Sequence, residues 1–226
     1  MIRIAHKYEA DAILDAALSR LESFFVPGPG HWLDADPAAS WDARLETGQQ
    51  QCCLTLEPED AFAAAELARL TCRPRVLPVA LFLCCLCDPR LLRHGTRRAV
   101  DGKVAALDDA DFARCVRAGE TLRAEGRTVV HRAMGAYVEA HWAATCKCRK
   151  VVDAMFREHA RDEGLCTLED LFVRVDKRTT PPAAWKHHGD LCGTCKQDIL
   201  ERLETECRAV RKKLPTYFSL EIEGWE

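Results

Sequence analysis

Residues 74–87 read PRVLPVALFLCCLC, and this stretch decides the fold. Pro74 and Pro78 lead into it and Asp88-Pro89 closes it. From Val79 to Leu86 the run is apolar on every side, which predicts the most buried helix of the chain. Cys84, Cys85 and Cys87 then serve as small apolar side chains within it.

Working outward, the preceding Glu57-Pro58-Glu59-Asp60 is a helix start. Its proline suits a first turn and its acids complement the helix dipole, and AFAAAELARLTC follows. Further upstream, Tyr8, Ala12, Leu14, Leu18, Leu21 and Phe25 lie near the spacing of one amphipathic helix from Lys7 to Phe25, stopped by Pro27-Gly28-Pro29-Gly30. Residues 26–50, with Trp32 and Trp41, form an irregular connection that packs onto the body. Downstream, residues 93–107 are polar, and Asp101-Gly102 can close a small hairpin. Asp108 caps a helix running to Gly126, and a second long helix is expected from Arg127 to about His141. Helices are also expected over 148–162, over the short TLEDLFVRV opened by Thr167, and from about Cys192 to Lys213, where Leu214-Pro215 ends the last one. The final TYFSLEIEGWE is apolar enough to fold back on the body.

No fixed repeat period emerges. The reading is an all-α fold, an irregular array of helical hairpins with long loops and at most one small β-hairpin. Its segments are a helix in 1–25, a linker in 26–50, a helical region in 51–142, and a C-terminal helical region with cysteine pairs in 143–226.

The chain has 226 residues, 48% of them hydrophobic, which suffices for a sizeable core. Its net charge of −3 supplies no general attraction to nucleic acid or anionic lipid, and the basic runs at 97–98, 147–150 and 211–213 are short. Nucleic-acid binding is therefore not expected. The first residues lack an export signal, and no stretch reaches the ~20 apolar residues of a spanning helix. A cytoplasmic or nuclear protein with no membrane role is expected, its 13 cysteines reduced.

Two of those cysteine groups carry chemistry. Cys192-Gly193-Thr194-Cys195 sits at a helix start, and Cys146-Lys147-Cys148 sits at another. If the two helices start side by side, four thiolates can surround one zinc ion, with Zn–S of about 2.3 Å and sulfur separations of about 3.8 Å. Cys146, Cys148, Cys192 and Cys195 are thus the candidate metal ligands. His187 and His188 are the substitutes nearest in sequence to Cys192. Cys207, twelve residues past Cys195, would lie about 18 Å further along the same helix and cannot share the ion. Cys166 joins only if the chain doubles back. A closed four-ligand shell leaves no place for substrate, so the zinc would be structural. The alternative for LCGTCK is a thioredoxin-like redox pair, which requires a preceding strand in a βαβ unit, and RTTPPAAWKHHGD supplies none. HExxH, Walker, GxGxxG and GxSxG motifs are absent, so no catalytic residues are assigned.

Several segments, taken in order, resemble the helical region that follows the BTB/POZ core in basidiomycete BTB-domain proteins: RIAHKYEADAILDAALSRL, AAELARLTCRPRVLPVALFLCCLCDP, LDDADFARCVRAGETL, LCGTC and LPTYFSLEIEGW. The resemblance covers nearly the whole chain. It implies a post-BTB helix in 1–25, a BACK-like α-helical region in 51–142, a role in protein–protein interaction without catalysis, and late cysteine pairs falling on Cys146, Cys148, Cys192 and Cys195. By the resemblance, Met1 falls where the BTB core would be ending, so the strands of that core are not expected within these residues. A fragment, a shortened product or a helical part working alone is expected, and the dimerisation and cullin recruitment that belong to the core do not carry over. The partner is an unidentified protein. A thiol–disulfide oxidoreductase using Cys192-x-x-Cys195 and a zinc-dependent nucleic-acid binder, which needs residues 147–150 and 211–213 on one face, are the alternatives. Exposed tryptophans among Trp32, Trp41, Trp142 and Trp185 would favour the interaction module.

Overall fold

The helix predicted from the opening stretch is present. In the computed structural model, which describes residues 2–27, 57–98, 101–140, 147–161 and 190–225, it spans Leu77–Leu86, and every residue from Leu77 to Cys85 is buried. Among the described residues the fold is all-α, with one two-stranded antiparallel ribbon. In chain order the elements are α1 (Ile2–Lys7), α2 (Asp11–Phe25), α3 (Ala61–Leu70), α4 (Leu77–Leu86), α5 (Pro89–His94), β1 (Thr96–Arg97), β2 (Val104–Ala105), α6 (Asp109–Ala140), α7 (Cys148–Arg161), α8 (Gly193–Lys212) and α9 (Leu214–Tyr217). Short 3-10 turns at Pro58–Asp60 and Pro74–Val76 lead into α3 and α4. The Asp101-Gly102 turn forms as expected, pairing Thr96 with Ala105 and Arg97 with Val104, and Gly102 takes φ 66°.

These elements belong to two compact units. The first holds α1–α5, the ribbon, α6 up to Glu120, and the chain from Lys213 onward. There α4 packs against α3, α2 and α9. Phe24, Phe25, Phe62, Phe82, Leu81 and Phe218 fill the interior, with the Phe24 and Phe25 rings edge to face at 4.9 Å. Each such side chain contributes roughly 1.5–3 kcal/mol by leaving water. Burial of Leu214 and Phe218 shows the tail folded onto this unit; α8 ends at Lys212, as Leu214-Pro215 leads one to expect, and Pro215 sits in the first turn of the short α9 that follows. Asp111, 2% exposed, accepts two hydrogen bonds from Arg69 (3.0 and 2.6 Å) and one from Arg114 (2.9 Å), tying α3 to α6. The hydrogen bond from Asp111 raises the Arg69 guanidinium further above its ordinary value, against the opposing effect of burial.

The second unit comprises α6 from Thr121, α7 and α8. Its interior takes Val129, Ala133, Met134 and Tyr137 from α6, Val152 from α7, and Ile199, Leu203, Cys207 and Val210 from α8. Arg132 bridges Glu125 on its own helix (2.7 Å) and Glu206 on α8 (2.6 Å). The division between units falls inside α6, between Glu120 and Thr121, and the chain from Lys213 onward belongs to the first unit.

Two helix limits differ from expectation for identifiable reasons. The helix predicted over Lys7–Phe25 begins only at Asp11, because a separate helix, α1, closes at Lys7 just ahead of it. The Ala10 amide bonds to the Ala5 carbonyl (2.9 Å) and Glu9 turns to φ 53°, the geometry of a Schellman cap. The same cap ends α3 at Cys72 and α9 at Ser219, each time with a residue other than glycine in the left-handed region. Conversely, the two helices expected on either side of Gly126 are one. Asp108 caps its start as predicted, accepting from the Asp111 amide at 2.7 Å. Gly119 and Gly126, seven apart, both lie on its buried stripe, so the roughly 1 kcal/mol each costs relative to alanine is met by packing on that face.

Candidate metal centre

Helix starts position the sulfurs. Cys148 is the first residue of α7. Cys192 stands just before α8, its carbonyl accepting from the Lys196 amide at 3.0 Å, so it occupies the cap position and Cys195 falls in the first turn. The amide of Cys192 donates to the sulfur of Cys148 at 3.2 Å. The three Sγ atoms all lie within 4.8 Å of one another. Cys148 and Cys195 are buried, while Cys192 is exposed.

The donor set fits zinc. Three soft ligands lie within 4.8 Å of one another, close to the ~3.8 Å edge of a tetrahedral sulfur shell. Two helix N-termini direct partial positive charge at the cluster, which favours thiolates. The Cys192 amide adds a hydrogen bond that a thiolate accepts better than a thiol, the kind of outer contact that orients metal ligands.

Of the four expected ligands, Cys148, Cys192 and Cys195 are brought together. Cys146, the fourth, lies outside the described residues, as do His187, His188, Cys166 and the tryptophans Trp32, Trp41, Trp142 and Trp185. Cys207 is buried between Leu203 and Val210 on α8, away from the cluster as the helix rise requires. The contribution of the Cys192 amide was not readable from spacing, because it depends on where a residue far earlier in the chain places its sulfur.

The α4 cysteines are packing residues. Burial pushes the Cys84 thiol well above its ordinary value and Cys87 up to about 11. Cys115 is raised by its hydrogen bond with Cys85 and then by burial. The Cys85 thiol donates to the Cys115 carbonyl (3.5 Å) and the Cys115 thiol to the Leu81 carbonyl (3.7 Å), so α4 and α6 are joined by protonated sulfur.

Compared with protein-family models, curated proteins and solved structures, the chain matches none.

Proposed function

We propose that the chain is a non-enzymatic protein–protein interaction module of the BTB-associated, BACK-like kind, with a structural zinc that holds the start of α7 against the start of α8. The observation that carries the zinc is the meeting of Cys148, Cys192 and Cys195 within 4.8 Å; the proposal adds Cys146 as the fourth ligand. Bound there, the ion would supply folding energy and no chemistry on a substrate. The interaction role rests on the segment resemblance and on the apolar side chains that α1, α2 and the turn between them leave in water: Ile4 (64% exposed), Tyr8 (70%) and Ile13 (53%). A protein partner with an apolar segment suits such residues. Reduced thiolates of this kind suit the cytoplasm or nucleus. No helix among the described residues is long and apolar enough to cross a membrane.

The alternatives have less support. Among the described residues the strands are β1 and β2, which lie far from α8 in sequence, and neither is the strand that a thioredoxin-like site requires ahead of its cysteine pair. A basic nucleic-acid face is weakened because Arg211 is buried and bonded to Glu204 at 2.7 Å.

Metal analysis of the purified chain tests the zinc: roughly one equivalent is expected in the parent and little in Cys148→Ser or Cys192→Ser. Full retention in both variants rejects the site. Capture of a protein partner that is lost in Tyr8→Asp, a variant outside the metal site, tests the interaction role.

A further inference from the structure

We infer that Cys192 is a peroxide-reactive modification site, with Cys195 as the resolving thiol, and that joining the two releases the metal. The inference rests on the zinc reading above and adds its regulation. Its basis is the asymmetry of the cluster. Cys148 and Cys195 are buried, whereas Cys192 is exposed at the cap of α8. The neighbouring Gly193 faces open space, with nothing within 4 Å of the position a Cβ would take. A small oxidant can therefore reach one sulfur of the three directly.

The resolving partner follows from connectivity. Cys192 and Cys195 are separated by two residues across the first turn of α8, and their sulfurs lie within 4.8 Å. Residues three apart on a helix have Cβ atoms about 5–6 Å apart, and a disulfide requires about 3.5–4.5 Å. Cys192 lies outside the helix, so it can close that gap without unwinding a turn of α8. Pairing Cys192 with Cys148 would instead pull the start of α7 toward α8 and displace the hydrogen bond that the Cys192 amide makes to that sulfur. Among the other described cysteines, Cys72 is exposed but lies outside this cluster, Cys87 is half-buried, and Cys84, Cys85, Cys115 and Cys207 are buried.

The chemistry balances with hydrogen peroxide as oxidant. The Cys192 thiolate attacks one peroxide oxygen; an S–O bond forms, the O–O bond breaks, and hydroxide leaves and is protonated to water, giving a sulfenic acid. The Cys195 thiolate then attacks the Cys192 sulfur; the S–S bond forms, the S–O bond breaks, and a second hydroxide leaves and is protonated. Two electrons pass from the sulfur pair to peroxide, two protons are consumed, and the ion loses two ligands. A dithiol reductant reverses the step.

The test uses the full chain loaded with zinc, its metal content measured before any peroxide is added. Equimolar to tenfold hydrogen peroxide is then applied, released zinc is followed with a chromogenic chelator, and disulfides are located by peptide mass spectrometry. The expected result is release of about one zinc per chain together with a Cys192–Cys195 link, reversed by dithiothreitol and added zinc. In Cys195→Ser, a sulfenic-acid trap should label Cys192. Zinc retained through tenfold peroxide overturns the inference and leaves the metal reading standing, as does release accompanied by a Cys192–Cys148 link or by no disulfide. Absence of zinc at the outset is the separate failure of the metal reading, registered before oxidation begins, and it removes this inference with it.

Discussion

The backbone amide of Cys192 donates a hydrogen bond to the sulfur of Cys148, 3.2 Å away and 44 positions earlier in the chain. The contact joins the starts of two helices and makes Cys148 both a candidate ligand and an acceptor. Its loss should therefore differ in kind from loss of a buried cysteine elsewhere on the same helix.

That difference is the first prediction. Cys207→Ala should keep its zinc and lose about 1 kcal/mol of stability, as expected for trimming a small core side chain. Cys148→Ser should lose the zinc. A chelator should lower the melting temperature of the parent and of Cys207→Ala while leaving Cys148→Ser unmoved, since an ion bound only to the native state stabilises by mass action. Parallel calorimetric scans with and without chelator check this. Equal chelator responses in all three proteins would argue against ligation by Cys148.

Cys87 gives a pH-dependent prediction. Burial raises its thiol from 9.0 to about 11. Two units correspond to about a hundredfold fewer thiolates at pH 8 than an ordinary cysteine has, and the thiolate is the reactive form. Iodoacetamide on the native chain should modify exposed Cys72 first, with Cys87 following at a rate that climbs until about pH 11. For stability the sign is as follows. Between pH 9 and about 11 the unfolded thiol has released a proton that the folded one retains, so the contribution is fully present below 9 and is lost as pH rises to about 11. Equal labelling of Cys72 and Cys87 at pH 8 would contradict the burial.

The Asp111 carboxylate separates two arginines by how each is held. Arg69 donates two hydrogen bonds and Arg114 one. Arg69→Ala should cost about 2–3 kcal/mol and Arg114→Ala about 1, because the first leaves a buried carboxylate with a single partner. Both arginines are partly exposed, which keeps these values below those of a fully buried pair. Urea unfolding of the two single variants measures the order, and a larger loss at Arg114 would reverse the assignment.

Gly95 is the position where backbone approaches backbone. It has φ 73°, and an added Cβ would lie 2.2 Å from the Ala105 carbonyl oxygen. Gly95→Ala must therefore push β2 away or abandon the left-handed conformation, at a cost of about 2–4 kcal/mol. Gly102→Ala has the same sign of φ with open space around it, and should cost about 1 kcal/mol. Comparing the two by thermal unfolding isolates the steric part, and equal losses would show that the close approach contributes nothing.

What the sequence determined by itself was local. The all-round apolar run of α4, the Asp108 cap, the Asp101-Gly102 turn and the placing of thiols at helix starts follow from side-chain chemistry acting over one or two turns. Cys207 was excluded from the metal cluster by helix rise alone. Tertiary structure decided the rest. Gly126 does not end α6, because the stripe on which it lies is buried. The helix expected from Lys7 starts at Asp11 instead, because α1 caps itself at Glu9 and the chain turns before α2 begins. Above all, Cys148 meets Cys192 and Cys195. Periodicity and capping act within a helix and carry no information about which helix starts will be neighbours; the packing of α7 and α8 supplies it, and the amide of Cys192 holds the sulfur of Cys148 in place.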